Sequence, residues 1–281
     1  MQQGNVKFID LEKVIAGKNP RLLKWIPRFI LNYIKKVIHE DDLNDAINRN
    51  NDKFGYDFAA ATLKEFDPQL IVSGIENIPL EGGCIIASNH PLGGLDGIAF
   101  MVTVGGVRKD IRFLVNDLLL NLKNYGEIFV PVNKHGKNSK DNIRLYEEIY
   151  SSDVCVLIFP AGLVSRRNKS GIIMDLDWKK SFINKSIKYQ KPVIPLYIGG
   201  NNSSFFYNLA YYRKKLGIKA NIEMFYLVDE MYKQKGKTIE FIFGKPISPA
   251  SFTNDFSEHH WAQEVKKHVY ALGGRGALIF N

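Results

Sequence analysis

The stretch Cys84-Ile-Ile-Ala-Ser-Asn-His-Pro-Leu-Gly-Gly-Leu-Asp-Gly97 sets a short apolar run against a turn that carries a histidine, two adjacent glycines and an aspartate. An apolar run of that length, closed by turn-forming residues, predicts a strand buried on both faces. The residues that follow, Leu95–Val104, predict a helix. The same texture recurs on both sides of this unit. Further β-rich runs fall at Leu70–Ser73, Arg112–Val115, Ile128–Val130, Val154–Phe159 and Val193–Tyr197, and helical ones at Asp117–Asn124, Ser139–Tyr150, Trp178–Tyr189 and Phe205–Leu216. Such alternation predicts an α/β fold, a mostly parallel sheet flanked by helices. A late pair, Asn221–Val228 and Thr238–Phe243, separated by Lys-Gln-Lys-Gly-Lys, predicts two strands that close the sheet. In open sheets of this kind ligands gather at the carboxyl ends of the strands, so chemistry is expected just after Ser88, Phe159 and Tyr197.

His90 stands at such a strand end, and Asp96 follows after a Gly93-Gly94 pair that lets the backbone fold tightly. A histidine with one ring nitrogen held by a carboxylate keeps the other free as a general base, and the carboxylate stabilises the imidazolium that forms. No Gly-x-Ser-x-Gly elbow is present and neither cysteine is suitably placed, so the group activated is expected to be a substrate hydroxyl. A second strand end, Phe159-Pro-Ala-Gly-Leu-Val-Ser-Arg-Arg167, supplies donors from Ser165, Arg166 and Arg167 on a backbone opened by Gly162. Its arginines are either a clamp for an anion or carboxylate, or two exposed residues on a loop.

Composition narrows the class. With 281 residues, 45% hydrophobic and 24% charged, the chain holds an ordinary globular core, which excludes disorder and collagen-like repetition. No apolar stretch reaches the roughly 18 residues a membrane-spanning helix needs. Lys and Arg outnumber Asp and Glu by 38 to 29, a net +9, which favours partners with negative charge. Walker A, Gly-x-Gly-x-x-Gly, zinc-ligand, helix-turn-helix and RNP signatures are all missing, so neither a metal nor nucleic acid is expected as partner. Cys84 and Cys155 lie in apolar runs and read as small buried hydrophobes in a reducing compartment. The first residues lack an apolar signal core, so the protein is expected to stay inside the cell.

From Lys18 to Lys36 six cations (Lys18, Arg21, Lys24, Arg28, Lys35, Lys36) interleave with apolar residues at helical spacing, and no acid intervenes. Two readings stand side by side. One is an in-plane helix on an anionic membrane surface, with Trp25 and Phe29 at the acyl boundary. The other is a helix that packs its apolar stripe on the protein's own core.

Taken together, Asn89-His90 with Asp96, Gly126-Glu-Ile-Phe-Val-Pro-Val132, Phe159-Pro-Ala-Gly162 and Val193-Ile-Pro-Leu196 resemble, in order, the four blocks of the PlsC-type glycerolipid acyltransferase superfamily. The resemblance runs from about residue 70 to 245. It implies that His90 is the general base and Asp96 its partner, acting on an acceptor hydroxyl that attacks an acyl thioester of coenzyme A (acyl-CoA) or acyl carrier protein (acyl-ACP). It further implies substrate contacts from Asn89, Gly93, Gly94, Phe159, Pro160, Gly162, Ser165, Arg166 and Arg167, with no metal or bound cofactor. The wording Asn-His-Pro-Leu-Gly-Gly-Leu-Asp-Gly, Phe-Val-Pro-Val-Asn-Lys, Phe-Pro-Ala-Gly-Leu-Val-Ser-Arg and Trp-Lys-Lys-Ser-Phe-Ile is most similar to the lyso-ornithine-lipid and lyso-glycine-lipid O-acyltransferases. These acylate the 3-hydroxyl of an amide-linked hydroxy fatty acid. The resemblance implies a peripheral protein on the cytoplasmic face of the membrane, with a helical, membrane-associating segment at residues 1–66 and a catalytic domain at 67–281.

Two departures from the superfamily pattern carry information. Five residues rather than four separate His90 from Asp96, so the glycine pair is expected to absorb one. At the third block, Ala161, Leu163 and Val164 replace the acid, threonine and arginine usual in enzymes acting on glycerol phosphates. That speaks against 1-acylglycerol-3-phosphate acyltransferase activity, and for an acceptor whose carboxylate is held by Arg166 or Arg167. A thioester hydrolase, with water as acceptor, and a lipid-binding protein without catalysis are the remaining alternatives.

Overall fold

The computed structural model describes residues 7–131, 139–274 and 279–280. The first six residues, and Val132, Asn133 and Lys134 of the second sequence block, lie outside the described residues. Nine strands are described: β1 (Gln69–Ser73), β2 (Cys84–Ser88), β3 (Ile111–Val115), β4 (Phe129–Pro131), β5 (Cys155–Ile158), β6 (Arg166–Arg167), β7 (Ile173–Met174), β8 (Val193–Ile198) and β9 (Thr238–Phe243). Seven form one sheet in the order β1-β9-β8-β2-β5-β3-β4, parallel throughout except between β8 and β9. The mostly parallel sheet flanked by helices is therefore the one expected.

β2 is the central strand, and all five of its residues are buried. Because side chains alternate across a strand, Cys84 and Ile86 enter one core while Ile85 and Ala87 enter the other. The first core packs under helices α5 (Gly55–Phe66) and α6 (Gly94–Val107), and the second under α8 (Ser181–Tyr189) and α11 (Glu258–Gly273). Helix α5 falls in the segment assigned to the N-terminus, yet it delivers Phe58, Ala59, Leu63 and Phe66 to the core beneath α6. At the far end of the chain, α11 contributes Ala262, Val265 and Val269.

Two sequence expectations fail locally. Asn221–Val228 is no strand: Ile222–Tyr226 is a 3₁₀ turn that leads into helix α10 (Leu227–Lys233). Its apolar residues alternate with a fully buried Glu223 that two arginines engage, so a charge fixes this turn where the pattern suggested a pleated edge. The strand antiparallel to β9 is instead β8. Asp117–Asn124, expected as an α-helix, consists of 3₁₀ turns at Asp117–Asn121 and Lys123–Ile128, the second broken at Gly126 with φ 52°.

Ahead of α5, the chain forms α1 (Leu11–Lys18), α2 (Pro20–Trp25), α3 (Arg28–Val37) and α4 (Glu40–Arg49). Pro20 and Pro27 mark the starts, as proline's fixed φ and missing N–H dictate. Along α2 and α3 the apolar residues of the basic segment divide between contact with the protein and exposure. Leu31 is buried and Tyr33 hydrogen-bonds Tyr226 at 2.9 Å, whereas Trp25 and Phe29 remain 84% and 73% exposed. Among the described residues no helix is long and apolar enough to cross a membrane.

Candidate active site

His90 leaves the carboxyl end of β2, and the turn that follows brings it back to the first turn of α6. Gly93, at φ 85° and ψ −116°, occupies a backbone region that residues with a Cβ avoid, and a Cβ there would also stand 2.9 Å from Leu227. This is how the extra residue is absorbed. His90 Nδ1 and Asp96 Oδ2 lie 3.0 Å apart, and the same oxygen accepts the Leu92 amide at 2.7 Å. Asp96 is fully buried. An ionised carboxylate only accepts hydrogen bonds, so Nδ1 carries the hydrogen and Nε2 keeps its lone pair. The His90 side chain is 16% exposed.

The imidazole plane is set from a second side. His90 stacks on Phe159, with ring centroids 3.9 Å apart and 13° between planes. Phe159 in turn meets Phe100 and Phe113. The first and third sequence blocks thus meet face to face, and one side of the base is walled by hydrocarbon.

The backbone of His90 is held as well. Its amide donates to Asp175 Oδ1 at 3.2 Å, and its carbonyl accepts the Ser165 amide at 2.7 Å. Asp175 also accepts Ser165 Oγ at 2.6 Å and Trp178 Nε1 at 2.9 Å. Helix α11 fixes the main chain of Asp175: Tyr270 accepts its amide at 2.7 Å and Lys266 donates to its carbonyl at 2.7 Å. Burial pushes the Asp175 carboxyl above its usual range, against the pull of the bonds from Ser165, Trp178 and the His90 amide. Asp175 was not singled out from sequence, and Trp178 entered only as the first residue of a helical run and of the Trp-Lys-Lys-Ser-Phe-Ile wording, with no role at the site; the trace of Asp175 was an aspartate that closes the apolar run Ile172-Ile-Met.

The other expected site residues divide. Asn89 is 2% exposed and spends its whole amide on the backbone of Ile198, donating at 2.8 Å and accepting at 2.7 Å, so it ties β2 to β8 rather than facing a substrate. Ser165, 2% exposed, is committed to His90 and Asp175. The Pro160 carbonyl accepts the Lys179 amide at 3.1 Å, and Gly162, at φ 69°, is exposed where the turn passes under the Lys179 side chain. Gly94 opens α6 against Met231 of α10. Arg166 pairs with the buried Glu223 at 3.0 Å and lies over the Phe206 ring at 4.9 Å, while Arg213 reaches Glu223 at 2.7 Å. Arg167 is partly exposed; its Nη1 donates to Asn208 at 3.1 Å, and its Nε has no hydrogen-bond partner among the described residues. Among those residues no group of three or more His, Cys, Asp or Glu is placed to hold a metal ion.

The site couples a partnered histidine at a strand end to a turn fixed by buried polar groups, a geometry suited to taking a proton from a hydroxyl. The family model described as "Acyltransferase" matches residues 13–275. The chain belongs to this acyltransferase family. Among curated proteins, the acyltransferase is 45% identical over 273 residues to the lyso-glycine lipid O-acyltransferase of Bacteroides thetaiotaomicron, which covers 97% of this chain and 100% of the relative. It is 43% identical to the protein of the same name from Phocaeicola vulgatus, over 97% of this chain and 98% of that one. Among solved structures, the 1-acyl-sn-glycerophosphate acyltransferase PlsC of Thermotoga maritima aligns with 79% of this chain and 83% of its own, at 19% identity and a TM-score of 0.47.

Proposed function

We propose that this acyltransferase moves a fatty acyl chain from an acyl thioester, acyl-ACP or acyl-CoA, to the hydroxyl of a lyso amino lipid, with lyso-glycine lipid as acceptor. The observation that carries the chemistry is the 3.0 Å contact between His90 and the buried Asp96 just beyond the carboxyl end of β2. The relatives' names support the acceptor.

In this reading His90 Nε2 removes the proton from the acceptor hydroxyl as its oxygen attacks the thioester carbonyl. The C–O bond forms, the C–S bond breaks, and the imidazolium returns the proton to the departing thiolate. Asp96 stabilises the cation between the two transfers, and the Phe159 stack keeps the ring from turning away. No bound cofactor takes part. An acceptor carboxylate finds Arg167 the more available cation, because Arg166 is already paired inside the protein. Lysophosphatidic acid is disfavoured by Ala161, Leu163 and Val164.

Peripheral attachment to the cytoplasmic face belongs to the same reading. Arg21, Lys24, Arg28 and Lys36 are exposed beside Trp25 and Phe29, the mixture of cations and aromatics that anionic lipid surfaces attract. Lys35 is held by Glu12. Lipid profiling of cells with and without the gene tests the assignment: deletion should remove the diacylated glycine lipid and accumulate its lyso form. An unchanged amino-lipid profile with altered phosphatidic acid would replace this acceptor by a glycerol phosphate.

A further inference from the structure

Helix α9 (Ser204–Lys215) follows β8 and buries Phe206 and Tyr207 against Val164 of the third sequence block. Its far end and the loop behind it do the opposite. Across residues 211–221 every side chain but that of Arg213 is exposed, Tyr211, Tyr212, Leu216 and Ile218 among them. Arg213 turns inward to Glu223, whereas Lys214, Lys215 and Lys219 stand in solvent. Between Ser203 and Val228, Glu223 is the only acid, and it is fully buried. Exposed apolar side chains rimmed by tyrosine and lysine, with no acid on the same surface, match a partner that is apolar within and anionic at its face.

This surface is continuous with the N-terminal helices. Tyr33 of α3 hydrogen-bonds Tyr226 at 2.9 Å across 193 residues of sequence, and Phe205 of α9 meets the Tyr226 ring edge-on at 5.0 Å. A groove of about 270 Å³ runs between the two elements, walled by Ile30, Ile34 and Val37 on α3 and by Leu209, Ile222 and Phe225 opposite. The same surface stands at the end of the sheet that carries the base. Arg167 reaches Asn208 of α9 at 3.1 Å, and the turn Ile222–Tyr226 leads into α10, whose Leu227 and Met231 pack on Gly93 and Gly94 of the His90 turn.

We propose that residues 211–221, with Phe225, make a second contact with an anionic bilayer beside the one made by α2 and α3. Lys214, Lys215 and Lys219 meet the head groups, Tyr211 and Tyr212 lie at the interface, and Leu216 and Ile218 enter the acyl layer. The bilayer thereby covers the groove between α3 and α9. This rests on peripheral attachment to the membrane, and it adds an orientation. One helix leaves an attached protein free to roll, whereas two segments joined through Tyr33 and Tyr226 hold the carboxyl ends of the strands toward lipid.

The test places an environment-sensitive fluorophore on single introduced cysteines of the full chain; Cys84 and Cys155 are buried, so maleimide chemistry reaches the new thiol. Leu216→Cys is compared with Leu80→Cys, since both leucines are 74% exposed and Leu80 precedes β2, at the opposite end of the sheet. On phosphatidylglycerol vesicles the label at 216 should shift to the blue and be quenched by spin-labelled acyl chains, and the label at 80 should do neither. Leu216→Ser with Ile218→Ser should weaken vesicle affinity about tenfold at an unchanged melting temperature. A silent label at 216 on protein that co-sediments with the vesicles would overturn the second contact and leave attachment through the N-terminal helices standing. Absence of co-sedimentation would overturn both. A blue shift at 216 that grows with protein concentration in the absence of vesicles would give the surface to a second copy of the chain and overturn the proposal.

Discussion

Ser165 Oγ donates a 2.6 Å hydrogen bond to Asp175 Oδ1, the same oxygen that accepts the backbone amide of His90. One buried carboxylate thus joins the third sequence block to the turn that carries the base, and its own main chain is anchored on α11. Neither residue is placed to touch substrate; both act through the position of His90. Loss of the Ser165 hydroxyl leaves its backbone bond to the His90 carbonyl intact. Ser165→Ala should therefore lower kcat by about fivefold, the worth of a typical net hydrogen bond of about 1 kcal/mol, with both KM values preserved. Steady-state kinetics with each substrate varied decides it: a rise in acceptor KM at constant kcat would make Ser165 a substrate ligand instead.

The protonation of Asp175 has a defined sign. Burial raises its carboxyl above the ordinary 3.8, so the native state keeps this proton to a higher pH than the unfolded chain does. Stability contributed at this site then falls as pH rises from 3.8 through the native value, and is constant above it. Asparagine does not titrate. The melting temperature of wild type minus that of Asp175→Asn should decline through that window and level off beyond it, as measured by thermal scans in a pH series. A difference that grows with pH would mean a carboxyl held below its usual range.

The two arginines of the third block should behave oppositely. Arg166→Ala strands the fully buried Glu223 with Arg213 alone, and breaking a buried ion pair costs about 3 to 5 kcal/mol, so melting temperature should fall markedly. Arg167→Ala should leave melting unchanged. Its acceptor KM should rise about tenfold to a hundredfold, since a charged hydrogen bond is worth roughly 1.5 to 3 kcal/mol, and Arg167→Lys should restore only part. Calorimetry and acceptor kinetics on both variants separate the roles; an unaltered acceptor KM in Arg167→Ala removes the clamp.

At the N-terminus, Trp25→Ser with Phe29→Ser should weaken binding to anionic vesicles while leaving the fold untouched, because both side chains stand in solvent. Reversal of Arg21, Lys24 and Arg28 to glutamate should act more strongly at low salt, as each cation near such a surface is worth about 1 kcal/mol before screening. Vesicle co-sedimentation across a salt series reads both effects. Binding that ignores these changes would assign the segment to packing alone.

The sheet was legible because its strands are continuous apolar runs, the signature of burial on two faces, and because β2 ends in a turn with two adjacent glycines. The pairing of His90 with Asp96 was legible for the same reason: glycine at 93 permits a backbone path that shortens a five-residue gap. What stayed hidden was set by partners distant in sequence. Asp175 lies 85 residues from His90, and Glu223 lies 57 from Arg166. Local pattern carries no trace of such contacts, so Asn89 and Ser165 read as ligands for substrate when their groups serve the backbone of Ile198 and His90. The turn Ile222–Tyr226 misled by composition, since its aromatic and branched residues have strand propensity while a buried ion pair dictates its shape.

The central claim is that His90 is the base that activates the hydroxyl of a lyso amino lipid. The direct measurement is acylation of lyso-glycine lipid by purified protein with a radiolabelled acyl thioester, wild type against His90→Ala, with circular dichroism to confirm equal folding. Loss of a general base costs about 10² to 10⁴ in rate, so wild type should form diacylated glycine lipid and His90→Ala should be slower by at least a hundredfold at unchanged donor affinity. Near-normal product formation by a folded His90→Ala protein would contradict the account.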